Sequence, residues 1–169
     1  MNTRSFVIES TILIDEFLSF VICEILKIDT NITKSFGHGS TALSFNQKVQ
    51  LFSDIKIVTA EEKKKFVKLL EIRNKFAHVS SIDSFTNLFE LEIGQEVLRD
   101  FKKWYNVNDE KETTYLLCFS LLCKELNYTI QMVYEKHMYQ VGCEKGNADS
   151  YKELLDNKLQ YFKTKIITI

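Results

Sequence analysis

The stretch TAEEKKKFVKLLEIRNKFAH, residues 59–78, decides the fold, because it specifies one complete amphipathic helix together with both of its ends. Thr59 and Glu62 have the spacing of a capping box, which predicts a helix start. An advance of about 100° per residue gathers the apolar side chains on one side: Phe66, Leu69, Leu70, Ile72, Phe76 and Ala77. The residues after His78, which run V-S-S-I-D-S, are poor helix formers, so the helix is predicted to end there.

Three candidate functional side chains lie in the last turns of this predicted helix. Arg73 falls inside the apolar arc, where a guanidinium needs a polar or anionic partner. Asn74 and His78 are one turn apart on the flank, a spacing that allows a hydrogen bond orienting the imidazole. Arg73 and His78 are about 140° apart on an ideal helix, so a shared site needs a helix end at His78 or a second chain. The outward face is assigned to charged residues: Lys68, Glu71 and Lys75.

A charged Arg73 inside the apolar arc has two interpretations from the residues alone. It is either a structural ion pair with an acid of the first helix, with His78 capping its own helix, or part of an anion site. The candidate acids are Glu9, Asp15 and Glu16. A metal site using His38 and His78 is disfavoured, because the chain has three histidines and no spacing typical of a ligand set. We therefore expect neither a metal nor another cofactor.

Helical patterns extend over the rest of the 169 residues, and the chain has no proline to interrupt them. The sequence predicts one all-α domain over residues 1–169, a single bundle of about five to seven helices. The first predicted helix covers residues 5–28, and a short helix follows the Ser44/Gln47 capping box. One or two helices are predicted over 84–105, divided near Gly94. A long helix introduced by Asp109 and Glu112 follows, and an amphipathic C-terminal helix over 150–166 is opened by Ser150 and Glu153.

Composition narrows the class of protein. The net charge of −1 and the merely local basic runs, such as Lys63-Lys64-Lys65, do not indicate a dedicated duplex-DNA binder. No signal peptide is visible, and apolar runs such as 116–123 fall far short of the ~20 residues that a membrane span needs. The four cysteines form no C-x-x-C pair and are interpreted as small core residues in a reducing compartment. A cytoplasmic protein without a membrane partner is predicted.

The motif Arg73-Asn74-x-x-Ala77-His78 resembles the R-x4-H signature of the HEPN superfamily, in the variant of the mannitol operon repressor (MltR) family. The surrounding order is also similar: a first helix leading to Asp15-Glu16-Phe17-Leu18, a Gly/Ser loop near 37–44, Ser44-Phe45 with Lys48, and a Thr-x-x-Glu helix start before the motif. The similarity covers about residues 3–90, and a long helix near 110–140 is consistent with it. The helix over 150–166 lies outside the match.

The resemblance implies an HEPN/MltR-like helical bundle that forms a homodimer, with the motif helices near the interface. In ribonucleases of the superfamily, both chains build one metal-independent site. Carried onto this chain, His78 would be the general acid or base, Arg73 would hold the scissile phosphate, and Asn74 would orient His78 or contact RNA. Lys48 and Lys75 are candidate phosphate contacts.

Two functions stay open from the sequence. The first is an MltR-like dimeric regulatory protein that acts through protein or nucleic-acid partners, although no helix-turn-helix or basic arm accompanies the match. The alternative is a metal-independent endoribonuclease, a toxin or defence effector, with a composite Arg/His site at the dimer interface. Similarity of fold alone does not decide between these two functions.

Overall fold

The computed structural model describes residues 2–29, 33–37, 39–55, 58–107 and 109–144, and six residues further on. Within this part the chain forms six α-helices, one short 3-10 turn and no strand, which confirms the predicted all-α bundle. The helices are α1 (Thr3–Leu26), α2 (Phe45–Asp54), α3 (Ala60–His78), α4 (Phe85–Glu90), α5 (Gln95–Tyr105) and α6 (Glu112–Glu144), with the 3-10 turn at Glu92–Gly94. Within the described residues, no helix is long and apolar enough to cross a membrane.

Two of the predicted helix starts, those of α2 and α3, are confirmed. Both capping boxes form completely: Ser44 with Gln47 at the start of α2, and Thr59 with Glu62 at the start of α3. The first helix begins two residues earlier than predicted, because the side chain of Asn2 accepts a hydrogen bond from the backbone N–H of Arg4 at 2.7 Å. The division near Gly94 is also confirmed, and a Cβ there would lie 1.9 Å from the carbonyl oxygen of Leu88.

The centre of the bundle is built from α1, α3 and α6, each of which contacts the other two. Helices α1 and α6 run parallel, since Phe6 packs on Phe119 and Phe20 packs on Tyr134. Helix α3 runs antiparallel to α1, because Arg4 near the start of α1 binds the carbonyl oxygen just after the end of α3. Helix α2 covers one side of α3, while α4 and α5 close the other side of the core.

Glu112 does not have the partner that the sequence suggested. Its carboxylate caps the start of α4 instead of folding back on Asp109: Oε1 accepts from the N–H of Phe85 at 3.1 Å, and Oε2 accepts from the N–H of Thr86 at 2.8 Å. Asp109 pairs with Lys111. Helix α4 has six residues and little stability of its own, so a cap supplied from α6 fixes its position.

Replacing Glu112 with alanine should lower the free energy of unfolding by about 1–2 kcal/mol, because two N–H groups of α4 lose a charged acceptor. Urea denaturation followed by circular dichroism measures the change. Glu110→Ala is the matched control, since it removes an exposed carboxylate paired only with exposed Lys102, and should cost less than about 0.5 kcal/mol. Equal losses in the two variants would contradict the capping role.

The sequence assigned Lys68, Glu71 and Lys75 to the outward face of α3, and this assignment is wrong for Lys68. Lys68 is buried, with 4% of its side chain exposed, because α5 packs along that side and supplies the carboxylates of Glu96 and Asp100. Glu71 and Lys75 are partly buried beside it. A helical wheel places charged residues outside by default, and it has no information about a neighbouring helix that carries matching charges.

The C-terminal helix predicted over residues 150–166 falls largely outside the described residues, and so does the capping serine Ser150. Six of its positions are described, and all six are helical. Among them Leu159 is buried and belongs to the core. That this helix lies outside the similarity to the HEPN superfamily stays a prediction.

Candidate functional site

The end of α3 is held in place by α1. The guanidinium of Arg4 donates from Nη2 to the carbonyl oxygen of Val79 at 2.6 Å, and the N–H of Val79 donates to the carbonyl oxygen of Lys75 at 3.1 Å. Val79 is extended, so the helix stops at His78, as predicted. The buried ring of Phe76 anchors the same turn on the inner side. These contacts fix the direction in which the exposed His78 leaves the bundle.

Arg73 lies at the edge of the buried arc of α3 and not in its middle, which corrects the expectation from the wheel. The buried side chains of the helix are Phe66, Lys68, Leu69, Ile72 and Phe76. Leu70 and Ala77, which the wheel counted with the core, are only half-buried, and Arg73 is half-buried between them and the core. The true arc is rotated toward Lys68 because α5 covers that side.

Arg73 has no acidic partner among the described residues, so the structural ion pair is not formed there. Its Nη1 donates to Oδ1 of Asn74 at 3.1 Å. Asp15, one of the candidate acids, instead accepts from Lys48. The hydrogen bond proposed between Asn74 and His78 is likewise not found within the described part, since the Asn74 oxygen faces Arg73.

These side chains share one accessible surface, which we call the α3 face. It consists of Val67, Leu70, Arg73, Asn74, Ala77 and His78, all half-buried or exposed. Val67 is 44% exposed, so it adds apolar area to this surface. The surface therefore combines a guanidinium, an amide and an imidazole with apolar neighbours. The structure leaves the three predicted site residues accessible on the uncovered part of one helix, with Arg73 and His78 at the two edges of that part.

The two lysines considered as phosphate contacts both have partners inside the chain. Lys48 has 5% of its side chain exposed, and its Nζ lies 2.7 Å from Oδ1 of Asp15. Lys75 has 15% exposed and pairs with Glu71. Neither ammonium group is on the α3 face, because each is paired with a carboxylate inside the chain.

A chain of charges on the opposite side of α3 was not anticipated from the sequence. The Nζ of Lys68 lies 2.6 Å from Glu71, 2.8 Å from Glu96 and 3.2 Å from Asp100. Lys64 also binds Asp100, at 2.7 Å. Burial alone would raise the pKa of Glu71 and Asp100, but hydrogen bonds from these lysines and from Lys75 outweigh it and hold both pKa values below the ordinary range. The charges compensate each other, and the cluster joins α3 to α5.

A groove of about 660 Å³ lies on another part of the surface, along α6. Its lining includes Glu62, Tyr128, Met132, Glu135 and His137. Burial alone would raise the pKa of Glu62, yet hydrogen bonds from Thr59 and Thr129 lower it. Neither this groove nor a crevice of about 190 Å³ beside Lys48 includes a residue of the α3 face. No pattern in the sequence predicted the groove, because its walls come from helices far apart in the chain.

No group of three or more His, Cys, Asp or Glu side chains in the described ranges could hold a metal ion. His38, considered for a metal site, lies outside those ranges. Cys23, Cys118 and Cys123 are buried, as predicted for core residues, whereas Cys143 is exposed. Burial raises the pKa of the Cys23 and Cys118 thiols.

Comparisons with protein-family models, with curated proteins and with solved structures gave no match. The similarity to the HEPN superfamily therefore rests on the motif and its ordered surroundings.

Proposed function

We propose that this chain is an MltR-like regulatory protein of the HEPN type, which works as a dimer and binds a protein or nucleic-acid partner through the α3 face. The observation that supports it is Arg73, a guanidinium at the edge of the core whose contact within the described residues is the neutral Asn74 at 3.1 Å. An internal ion pair would have explained the residue by stability alone. Because no acid of the described residues pairs with Arg73, its positive charge is left for a partner.

The side chains of the α3 face indicate which chemical groups a partner should carry. A guanidinium has five N–H donors and binds phosphate or carboxylate oxygens, often with two parallel hydrogen bonds. Asn74 and His78 are exposed beside it and add donors and acceptors. Val67 and Leu70 add apolar area, which suits a partner with an anionic group next to an apolar or aromatic surface. An acidic protein segment and a single-stranded nucleic acid both have that character.

A metal-independent endoribonuclease is the second candidate, favoured by the exposed imidazole of His78 on the same face as Arg73. In that function His78 would move a proton at the ribose 2′-hydroxyl or the leaving oxygen. Arg73 would stabilise the charge of the phosphate in the transition state, and Asn74 would orient the imidazole or contact RNA. A composite site would need the α3 faces of two chains to meet.

Arg73→Ala should weaken partner binding at least about tenfold, since a charged hydrogen bond contributes about 1.5–3 kcal/mol. Fluorescence anisotropy with labelled single-stranded RNA, and with acidic peptides, measures the effect. Arg99→Ala is the matched control, because it removes one exposed guanidinium on α5 with the same change of net charge. Identical binding by the two variants, with unchanged stability, would contradict the role of the α3 face.

Cleavage separates the two functions. The purified protein is incubated with total RNA in EDTA, beside His78→Ala and beside His137→Ala, which removes an imidazole located on α6. As a regulatory protein, the wild type should leave the RNA intact. Cleavage that His78→Ala abolishes and His137→Ala retains would establish the nuclease instead.

A further inference from the structure

The longest helix of the described residues, α6, carries large apolar side chains on the side that faces solvent. Leu117 is 59% exposed, Tyr128 60%, Met132 44% and Tyr139 68%. The inner side of α6 is apolar as well, and includes Phe119, Leu122, Leu126 and Ile130 among its buried residues. A helix that only covers a core has a polar outer side. The outer side of α6 is therefore typical of a second contact surface.

These outward residues repeat with a period of eleven. Leu117, Tyr128 and Tyr139 form one row, Leu121, Met132 and Cys143 form the next, and Lys124 and Glu135 form the third. We call these eight residues the α6 stripe. A period of eleven residues corresponds to about 3.67 residues per turn, so the stripe runs almost straight along the helix. Between Leu117 and Tyr139 it is about 33 Å long.

The two charges on the stripe have opposite sign and lie on either side of its middle. If a second copy of the helix packs antiparallel, with the twofold axis level with the bond between Thr129 and Ile130, Lys124 is level with Glu135 of the second copy. The same pair forms again at the symmetry-related position. Tyr128 then lies within one residue of the level of Met132, again twice. A parallel pair would instead place Lys124 against Lys124 and Glu135 against Glu135, which is unfavourable.

We propose that the α6 stripe binds a second copy of this chain, antiparallel, and forms the homodimer. A twofold dimer needs a surface that is complementary to itself, and the stripe has this property in its charges as well as in its apolar residues. The groove of about 660 Å³ lies directly beside it and shares Tyr128, Met132 and Glu135 with it. That groove offers room for side chains of the second copy.

The inference deepens the proposed function and rests on its dimeric state, because it names the surface that makes the dimer. The stripe has no residue in common with the α3 face, so the two can be tested separately. An interface on α6 leaves both α3 faces available to partners, which differs from the arrangement that the resemblance implies, with the motif helices near the interface. It therefore favours the regulatory function over a nuclease site composed of two α3 faces.

Charge exchange tests the orientation. Lys124→Glu and Glu135→Lys should each weaken the dimer on the order of tenfold, since each converts two attractive pairs into two repulsive ones. The double variant should recover the wild-type dissociation constant. Light scattering over a dilution series measures it, starting from a wild-type mass of twice the 19.8 kDa of the chain. A monomeric wild type, or a double variant no better than the singles, would overturn the inference.

Disulfide crosslinking gives an independent readout. In the antiparallel register, Leu117 lies within one residue of the level of the exposed Cys143 of the second copy, so Leu117→Cys should give a crosslinked dimer under copper–phenanthroline oxidation. The wild type should stay uncrosslinked, because its two Cys143 residues lie at opposite ends of the paired helices. A crosslinked wild type would indicate a parallel pair and overturn the proposed orientation.

Tyr128→Lys separates the dimer from partner binding. It should give a monomer with unchanged helix content, because the ring is 60% exposed and contributes little to the fold. A Tyr128→Lys protein that stays dimeric would contradict the dimer inference. An Arg73→Ala protein that binds partners normally, whatever its mass, would contradict the proposed function.

Discussion

Phe85→Ala is expected to lower the free energy of unfolding by about 3–5 kcal/mol, which is a large part of the stability of a domain of this size. The ring is fully buried and touches four other rings. Its centroid lies 5.0 Å from that of Phe76, 5.6 Å from Phe119, 5.8 Å from Phe89 and 6.0 Å from Phe101. Four elements of the bundle meet at this side chain, so no single neighbour can fill the cavity.

Chemical denaturation followed by circular dichroism measures the loss, and Phe85→Leu serves as the graded control. Leucine keeps most of the volume and should recover more than half of the stability. Phe36→Ala tests a ring that is only partly buried at the edge of the core and should cost less. A loss below about 1 kcal/mol for Phe85→Ala would mean that the aromatic cluster is not the packing centre described here.

Lys68→Met is expected to cost about 3 kcal/mol, at the lower end of the range for removing one partner from a buried charge cluster. The variant leaves the carboxylates of Glu71 and Asp100 with only Lys75 and Lys64 to compensate them. Lys64→Met is the matched control. Lys64 binds the same Asp100 at 2.7 Å, but 49% of its side chain is exposed, so the loss should stay below about 1 kcal/mol.

The cost of Lys68→Met should depend on pH. The pKa values of Glu71 and Asp100 are lowered in the folded protein, so each group binds fewer protons folded than unfolded near its pKa. Their contribution to stability is present at neutral pH and is lost as the pH falls through the lowered values. The difference between wild type and Lys68→Met should therefore be largest at pH 7 and shrink below about pH 4. A difference that stays constant over this range would contradict the electrostatic origin.

Much of the architecture could be predicted from local rules. The capping boxes at Ser44 and Thr59, the end of α3 at His78 and the break at Gly94 all depend on residues a few positions apart, and all are found. The surfaces of the helices could not be predicted in the same way. Whether Lys68 faces solvent depends on α5, which begins 27 residues later, and no pattern within α3 carries that information.

For the candidate site as well, some features follow from local sequence and others depend on the packing of helices. The sequence alone placed Arg73, Asn74 and His78 in the last turns of one helix, because helix geometry fixes the relation of residues so close together. Only the tertiary structure decided that Arg73 lies at the edge of the core without an acidic partner among the described residues, that Lys48 is committed to Asp15, and that α6 exposes an apolar stripe. Burial and ion pairing depend on which helices pack side by side, and that is decided by contacts between residues far apart in the chain.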